Sequence, residues 1–103
     1  ARVEPEVTVL LPFNGFKSGS SGTSVITVNE PGHGRSTGDT VRFRDVEAFD
    51  GFTSSVVENS SGYSITKVTD NTFTFTVSGE TATTGGVKGG GGFASAGPVT
   101  VSA

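Results

Sequence analysis

The single histidine, His33, is the first residue to consider for proton transfer or metal binding. A catalytic histidine works with a nucleophile and an orienting carboxylate, and in sequence only Asp39 lies near this one. The segment from Pro31 to Gly38 is rich in glycine, which is typical of a turn. We therefore predict that His33 lies in that turn and hydrogen-bonds backbone atoms, and that the chain is not an enzyme.

Ten carboxylates and the absence of cysteine set the limits for metal binding. Without cysteine there is neither a disulfide nor a thiolate ligand, and one histidine does not make a zinc site. No segment has the alternating Asp and Asn residues and the closing Glu of a calcium-binding loop. The sequence predicts no metal site; the alternative is a cation held where the fold gathers Asp45, Glu47 and Asp50.

Two glycine-rich segments invite comparison with phosphate-binding loops. In GGVKGGGG, Lys88 is followed by Gly89 instead of Ser or Thr, and no helix is predicted after it. Gly32, Gly34 and Gly38 miss the spacing of a dinucleotide-binding loop by one residue and do not open a helix. The sequence therefore predicts no bound cofactor.

Aromatic residues on predicted strands could stack nucleic-acid bases, but the charge of the chain argues against that function. Single-strand-binding sheets place their aromatic residues in basic grooves, whereas this chain has a net charge of −3 and only 7 Lys and Arg residues. We predict that Tyr63, Phe73 and Phe75 belong to the core and that nucleic acid is not a direct partner. No apolar run is long enough for a membrane-spanning helix, so no membrane partner is predicted.

Strands must position these residues, because the composition disfavours helices. Val, Thr and Phe are abundant, Met is absent, and no window has apolar residues at helical spacing. Alternating patterns predict strands at residues 6–11, 24–29, 41–46, 62–68, 72–77 and 98–102. The predicted fold is all-β, a small β-sandwich or partly open barrel of about six or seven short antiparallel strands.

The clearest predicted unit is a β-hairpin formed by residues 62–68 and 72–77. In its second strand Phe73 and Phe75 alternate with threonines, so both rings are predicted to face the core. Strand 24–29 is apolar on both faces, which favours a central position in its sheet.

The chain is predicted to divide into an N-terminal arm or strand, a β-domain core, and a Gly-rich connector with a C-terminal strand, at residues 1–11, 12–84 and 85–103. Residues 14–23 predict a loop whose start is anchored by Phe13 and Phe16. The segment 47–61 is predicted to be a loop with at most one short strand. Gly89–Gly92 is predicted to be a hinge. The terminal strands are expected to pair with each other or with a neighbouring subunit.

The order of several short motifs resembles a small β-domain of the structural proteins of tailed bacteriophages. In that pattern a valine-rich strand precedes His-Gly, a Thr-Gly-Asp turn, a second strand, further aromatic strands, and Ala-Thr ahead of a glycine run. Here these are residues 25–28, 33–34, 37–39, 41–43, 49–52, 63–66, 72–75 and 82–83. The likeness covers residues 12–92. Arg35 departs from it, since an apolar residue is commoner after His-Gly, and so does the polar insert at 58–61.

The resemblance implies a non-enzymatic structural protein of a bacteriophage virion, in the head, tail or fibre. Such a module stabilises or decorates the assembly through protein–protein contacts and carries no catalytic residues. The implied partners are other virion proteins and copies of the chain itself, as a homo-oligomer within the particle. The alternative is a receptor- or carbohydrate-binding module of a tail fibre, which the absence of Trp and the single Tyr disfavour.

Overall fold

The computed structural model describes residues 2–4, 9–97 and 99–101, and within them the chain is almost entirely β-structure. The strands and the single helical turn are, in chain order, β1 Arg2–Glu4, β2 Val9–Leu10, β3 Phe16–Ser18, β4 Val25–Asn29, β5 Thr40–Arg44, α1 Ser54–Val57, β6 Tyr63–Ser64, β7 Thr66–Thr69, β8 Thr72–Thr76, β9 Lys88–Gly89, β10 Ser95–Gly97 and β11 Val99–Val101. The all-β prediction is confirmed, but the strands are shorter and more numerous than the six or seven predicted.

Two antiparallel sheets form the sandwich, and their strands come from distant parts of the sequence. The larger sheet has the order β7-β8-β4-β3-β9, and the smaller has the order β2-β10-β5-β6. A separate two-stranded ribbon consists of β1 and β11. Both sheets of the sandwich combine strands from early and late parts of the sequence, so neither sheet forms from one continuous stretch of the chain.

Aromatic rings from both sheets fill the space between them. The ring centroid of Phe43 on β5 lies 4.8 Å from that of Phe75 and 6.3 Å from that of Phe73, both on β8. It lies 5.2 Å from the ring of Phe16 on β3. All four rings are buried. Burying one such side chain contributes about 1.5–3 kcal/mol, so this cluster is a main source of the attraction between the sheets.

The longest strands lie where their alternating patterns predict. β4 is the middle strand of the larger sheet, and its inward residues Ile26 and Val28 are fully buried. Ile26 lies opposite Phe75 of β8. In β5, Val41 and Phe43 face the core in the same way. A strand of five residues shows its buried face in the sequence because successive side chains point to opposite faces.

The predicted hairpin is present, but its first strand is shared between the two sheets. β7 pairs with β8 across a short turn, and Phe73 and Phe75 face the core as predicted. The preceding strand β6, Tyr63–Ser64, pairs instead with β5 of the smaller sheet. Between them lies buried Ile65, whose N–H donates to the carbonyl of Asp39. The chain changes sheets at this residue.

Two segments predicted as loops contain regular structure. Residues 14–23 include β3, which lies between β4 and β9 in the larger sheet. Residues 47–61 contain the helical turn Ser54–Val57 and a single bridge between Phe49 and Phe52, in place of the short strand considered from the sequence. Such short elements span too few residues for a period of two or 3.6 to emerge.

The predicted glycine hinge is part of the packed interior. Gly89, Gly90 and Gly91 are buried, and β9, which ends at Gly89, forms an edge of the larger sheet. A Cβ atom at Gly89 would lie 2.3 Å from Cβ of Phe49, and one at Gly90 would lie 2.2 Å from Cδ2 of Phe16. Glycine is required here because aromatic side chains occupy the space of a side chain, so the hinge prediction was wrong.

The C-terminal part also contributes β10 to the middle of the smaller sheet, between β2 and β5. The predicted core, residues 12–84, therefore leaves out three strands that belong to the sandwich, β2, β9 and β10. Ala94 and Ala96 beside or within β10 are buried. Ala96 lies opposite Phe43 of β5.

The two ends of the chain pair with each other, but the two predicted terminal strands, 6–11 and 98–102, each pair with another segment. Arg2–Glu4 lies antiparallel to Val99–Val101, and Val9–Leu10 lies antiparallel to the first two residues of β10. Residues 6–8 of the first predicted strand, and residues 98 and 102 of the last, lie outside the described residues. Both pairings are within one chain, so β11 already has a partner without a neighbouring subunit.

Replacing Gly89 with alanine is expected to lower the free energy of unfolding by about 1–3 kcal/mol, because the added methyl group overpacks the contact with Phe49. Urea unfolding followed by circular dichroism measures the change. Gly92→Ala is the matched control, since the nearest atom to its Cβ is Cδ1 of the exposed Phe13 ring at 3.3 Å. Equal stability of the two variants would contradict the packing described for this segment.

Candidate functional site

His33 lies in the predicted turn, and both of its ring nitrogens contact backbone atoms. Nδ1 accepts a hydrogen bond from the N–H of Arg35 at 2.8 Å. Nε2 lies 2.8 Å from the carbonyl oxygen of Thr69, to which it donates in the tautomer that this arrangement requires. The backbone role predicted for His33 is confirmed. The hydrogen bond of Nε2 joins the turn to the tip of the β7–β8 hairpin, and that of Nδ1 lies within the turn. Both ring nitrogens are therefore engaged in structural hydrogen bonds.

A buried ion pair lies beside this histidine. Nε of Arg35 donates to Oε1 of Glu30 at 2.9 Å, and a second guanidinium nitrogen donates to Oε2 at 3.2 Å. Both side chains are only 6% exposed. The guanidinium carbon lies 6.0 Å from the ring centroid of Phe73, within reach of a cation–π contact. This pair is structural, since its polar atoms are directed at each other inside the domain.

The carboxylates considered for a cation site are used separately. Asp50 accepts hydrogen bonds from the Ser18 hydroxyl at 2.6 Å and from the N–H groups of Thr84 and Gly85 at 2.7 and 2.9 Å. In the described part of the chain, no three His, Asp or Glu side chains are grouped closely enough to hold a metal ion. Asp50 therefore organises the segment before β9, and Asp45 and Glu47 do not join it.

These hydrogen bonds give Asp50 a defined effect on the pH dependence of stability. The Ser18 hydroxyl, followed by the Thr84 and Gly85 amides, holds the pKa of Asp50 below its ordinary value, against the opposing effect of burial. The ionised form is the one that these donors stabilise. A carboxyl with a lowered folded pKa contributes stability above its unfolded pKa and loses it as the pH falls through the folded value.

Asp50→Asn is therefore expected to be less stable than the natural chain at neutral pH, with the difference shrinking as the pH falls below about 4. Thermal melting between pH 2 and 7 measures this. Ser18→Ala should reproduce part of the effect, since Ser18 is the main hydrogen-bond donor to the carboxylate. A stability difference that stays constant across this range would show that the charge of Asp50 is not involved.

The other residues singled out from the sequence lie in the sandwich. Phe73 and Phe75 are buried, and the ring of Tyr63 packs against Phe75 with 4.8 Å between centroids. The Tyr63 hydroxyl donates to the carbonyl of Val56, and burial raises its pKa. All three belong to the core as predicted, with Tyr63 at its margin. Gly32, Gly34 and Gly38 have positive φ angles suited to turns and open no helix.

Among the described residues, the three most exposed large apolar side chains lie near the chain ends. Leu10, Phe13 and Phe93 are 64%, 76% and 77% exposed. Their two segments run side by side, because the N–H of Leu11 donates to the carbonyl of Ala94 at 2.8 Å and the Phe13 ring lies over Gly92. We refer to Leu10, Phe13 and Phe93 as the terminal apolar surface. The sequence placed Phe13 as an anchor of a loop, and this was wrong.

The terminal apolar surface lies beside an open sheet edge. β2, which contains Leu10, is the outer strand of the smaller sheet, and within the described residues it pairs only with β10. An outer strand offers unpaired backbone N–H and C=O groups on its free side. The two residues of β2 include no lysine or proline. By contrast, β7, which is an edge strand of the larger sheet, carries Lys67.

No protein-family model, curated protein or solved structure matches the chain. In the described ranges, no helix has the length and apolar character needed to cross a bilayer. The function must therefore be argued from the geometry. Among the features above, His33, Asp50 and the Arg35–Glu30 pair make contacts within the domain, whereas the side chains of the terminal apolar surface are exposed.

Proposed function

We propose that the chain is a non-enzymatic structural module of a bacteriophage particle that binds other virion proteins and copies of itself. The terminal apolar surface carries this proposal. Large apolar side chains exposed near one another mark protein interaction sites, and the open edge of β2 can accept a strand from a partner. The assignment to a bacteriophage particle rests on the resemblance of residues 12–92 to virion β-domains.

The size of the domain supports a role in assembly. A sandwich of this length buries a modest core, so its net stability is a small difference between large terms. Contacts that bind only the folded state stabilise it further by mass action. Repeated contacts in a particle would cover Leu10 and Phe93 and add stability at the same time.

Leu10→Ser and Phe93→Ser, singly and combined, test the protein contacts. The natural chain is expected to self-associate with rising concentration in sedimentation velocity, and the double variant to remain monomeric with an unchanged melting temperature in dilute solution. Val68→Ser is the matched control, because Val68 is exposed on β7 at the other sheet. Self-association that is equal in the double variant and the control would place the contact elsewhere.

The bacteriophage assignment requires a separate test. Particles purified from lysed cultures that encode the chain are expected to contain it in a fixed ratio to the major head or tail protein, as measured by quantitative mass spectrometry. Immunogold labelling with antibodies against the chain would then locate it on the head, tail or fibre. Absence of the chain from purified particles would rule out a virion component.

A further inference from the structure

A pocket of about 230 Å³ opens on the outer face of the larger sheet, opposite the core. Its lining includes Phe13, Lys17, Thr27, Asn29, Thr72 and Lys88. Cross-strand neighbours bring these side chains to one face, since Lys17 lies opposite Thr27 and Asn29 lies opposite Thr72. The pocket is therefore built on four strands of the sheet, β8, β4, β3 and β9, and Phe13 also lines it.

The two lysines of this pocket are direct cross-strand neighbours. Lys17 of β3 lies opposite Lys88 of β9, and within the described part of the chain neither ammonium group has a carboxylate at ion-pair distance. Like charges placed directly opposite each other destabilise a sheet. Elsewhere the chain does pair its cations, as in Lys67 with Asp70 and Arg35 with Glu30. An uncompensated pair of lysines in an acidic protein is a feature that a bound anion would neutralise.

The rest of the lining is suited to a sugar ring. Phe13 offers an exposed aromatic face, against which the C–H groups of a saccharide can pack. Asn29, Thr27 and Thr72 offer amide and hydroxyl groups that donate to and accept from sugar hydroxyls. Concave sites of this kind bind through a few fixed polar groups on a largely apolar wall. The volume lies below the range of drug-sized sites, so it fits a single sugar unit.

We infer that this pocket binds one carboxylate-bearing sugar, of the uronic or sialic acid type. The carboxylate lies between Lys17 and Lys88, the ring packs on Phe13, and the hydroxyls face Asn29 and the threonines. Since the pocket is open and holds one unit, we expect a dissociation constant of about 1 mM for a monosaccharide. Several copies in the proposed assembly would raise the avidity. Phe13 belongs both to this pocket and to the terminal apolar surface, so a change at Phe13 would affect both proposals. Protein contacts are therefore tested at Leu10 and Phe93 alone.

The probes are methyl glycosides of glucuronic acid and of N-acetylneuraminic acid, titrated into the ¹⁵N-labelled full chain. Saturable shifts of the amides of Lys17, Thr27 and Lys88 are expected with either acidic sugar, together with weakening as salt is added. Methyl glucoside, acetate and inorganic phosphate are the comparison ligands. Equal shifts with acetate or phosphate would show an anion site without sugar recognition, and no shift with either acidic sugar would show no site; both results overturn the inference.

Lys17→Gln and Lys88→Gln are each expected to weaken acidic-sugar binding about tenfold, since each removes a charge-assisted contact. Lys67→Gln, on β7 and away from the pocket, is the control and should bind normally. Lys88→Glu should abolish binding and raise the melting temperature by about 1–3 °C, because it replaces a repulsive neighbour of Lys17 by an attractive one. A lower affinity together with a higher melting temperature would distinguish a variant that no longer binds the sugar from one that is misfolded. Normal binding by the folded Lys17 and Lys88 variants would overturn the inference.

Discussion

Phe75→Ala is expected to lower the free energy of unfolding by about 3–5 kcal/mol, the cost of removing a large buried aromatic side chain. The ring of Phe75 lies between the two sheets. Its centroid is 4.8 Å from that of Phe43 and 4.8 Å from that of Tyr63, with Phe16 at 6.4 Å. Truncation removes the attraction of all three rings and leaves a cavity that the sheets cannot close without moving toward each other.

Equilibrium unfolding in urea, followed by circular dichroism, measures this loss. Phe13→Ala is the matched control, since it makes the same chemical change at an exposed ring, where substitutions are usually within about 0.5 kcal/mol. The hairpin assignment predicts a large difference between the two variants. If Phe75→Ala melted like Phe13→Ala, the second hairpin strand would not face the core and the sandwich described here would be incorrect.

The sequence predicted the parts of the fold that local alternation controls. β4, β5 and β8 each run for five residues. β5 and β8 alternate apolar and polar side chains, so their buried faces were evident, whereas β4 is apolar on both faces, which predicted its central position. The strands β3, β9 and β10 contain two or three residues, and their pairing depends on backbone approach. Gly89 marks that approach only when the neighbouring ring of Phe49 is known.

The proposed sites depend on partners that are distant in sequence. Lys17 and Lys88 come from opposite ends of the chain, and β3 and β9 bring them together. Leu10 and Phe93 are joined in the same way by the pairing of β2 with β10. No local pattern relates such residues, which is why the sequence pointed to His33 and the carboxylates instead. Those side chains are of the types that act in catalysis or metal binding, but in this structure His33 and Asp50 hydrogen-bond to the backbone of turns.

Arg35 was the residue that departed from the bacteriophage pattern, and its position accounts for the difference. Where an apolar residue is commoner, this chain buries a guanidinium against Phe73 and balances its charge with Glu30. A buried cation of this kind needs a carboxylate partner, because the cost of removing a charge from water is several kcal/mol. Glu30 is a carboxylate partner of this kind, since both side chains are 6% exposed and their charged atoms lie 2.9 Å apart.

Glu30→Ala is accordingly expected to destabilise the domain by about 3–5 kcal/mol, the usual cost of removing one member of a buried ion pair. The guanidinium loses two hydrogen bonds to the carboxylate, at 2.9 and 3.2 Å. Asp70→Ala is the control, because its pair with Lys67 is exposed and such pairs contribute about 0–1 kcal/mol. Urea unfolding of both variants gives the comparison.

The combined change Glu30→Met and Arg35→Met separates the charge from the shape of this site. Replacing both members by apolar residues of similar volume removes the buried charges together, so the double variant is expected to recover most of the stability lost in Glu30→Ala. His33 provides an internal check, since it accepts from the Arg35 backbone N–H and not from its side chain. The turn should therefore keep its hydrogen bonds to the hairpin in the double variant. If the double variant were as unstable as Glu30→Ala, the pair would be needed for its specific hydrogen bonds, and an apolar residue after His-Gly would not suit this chain.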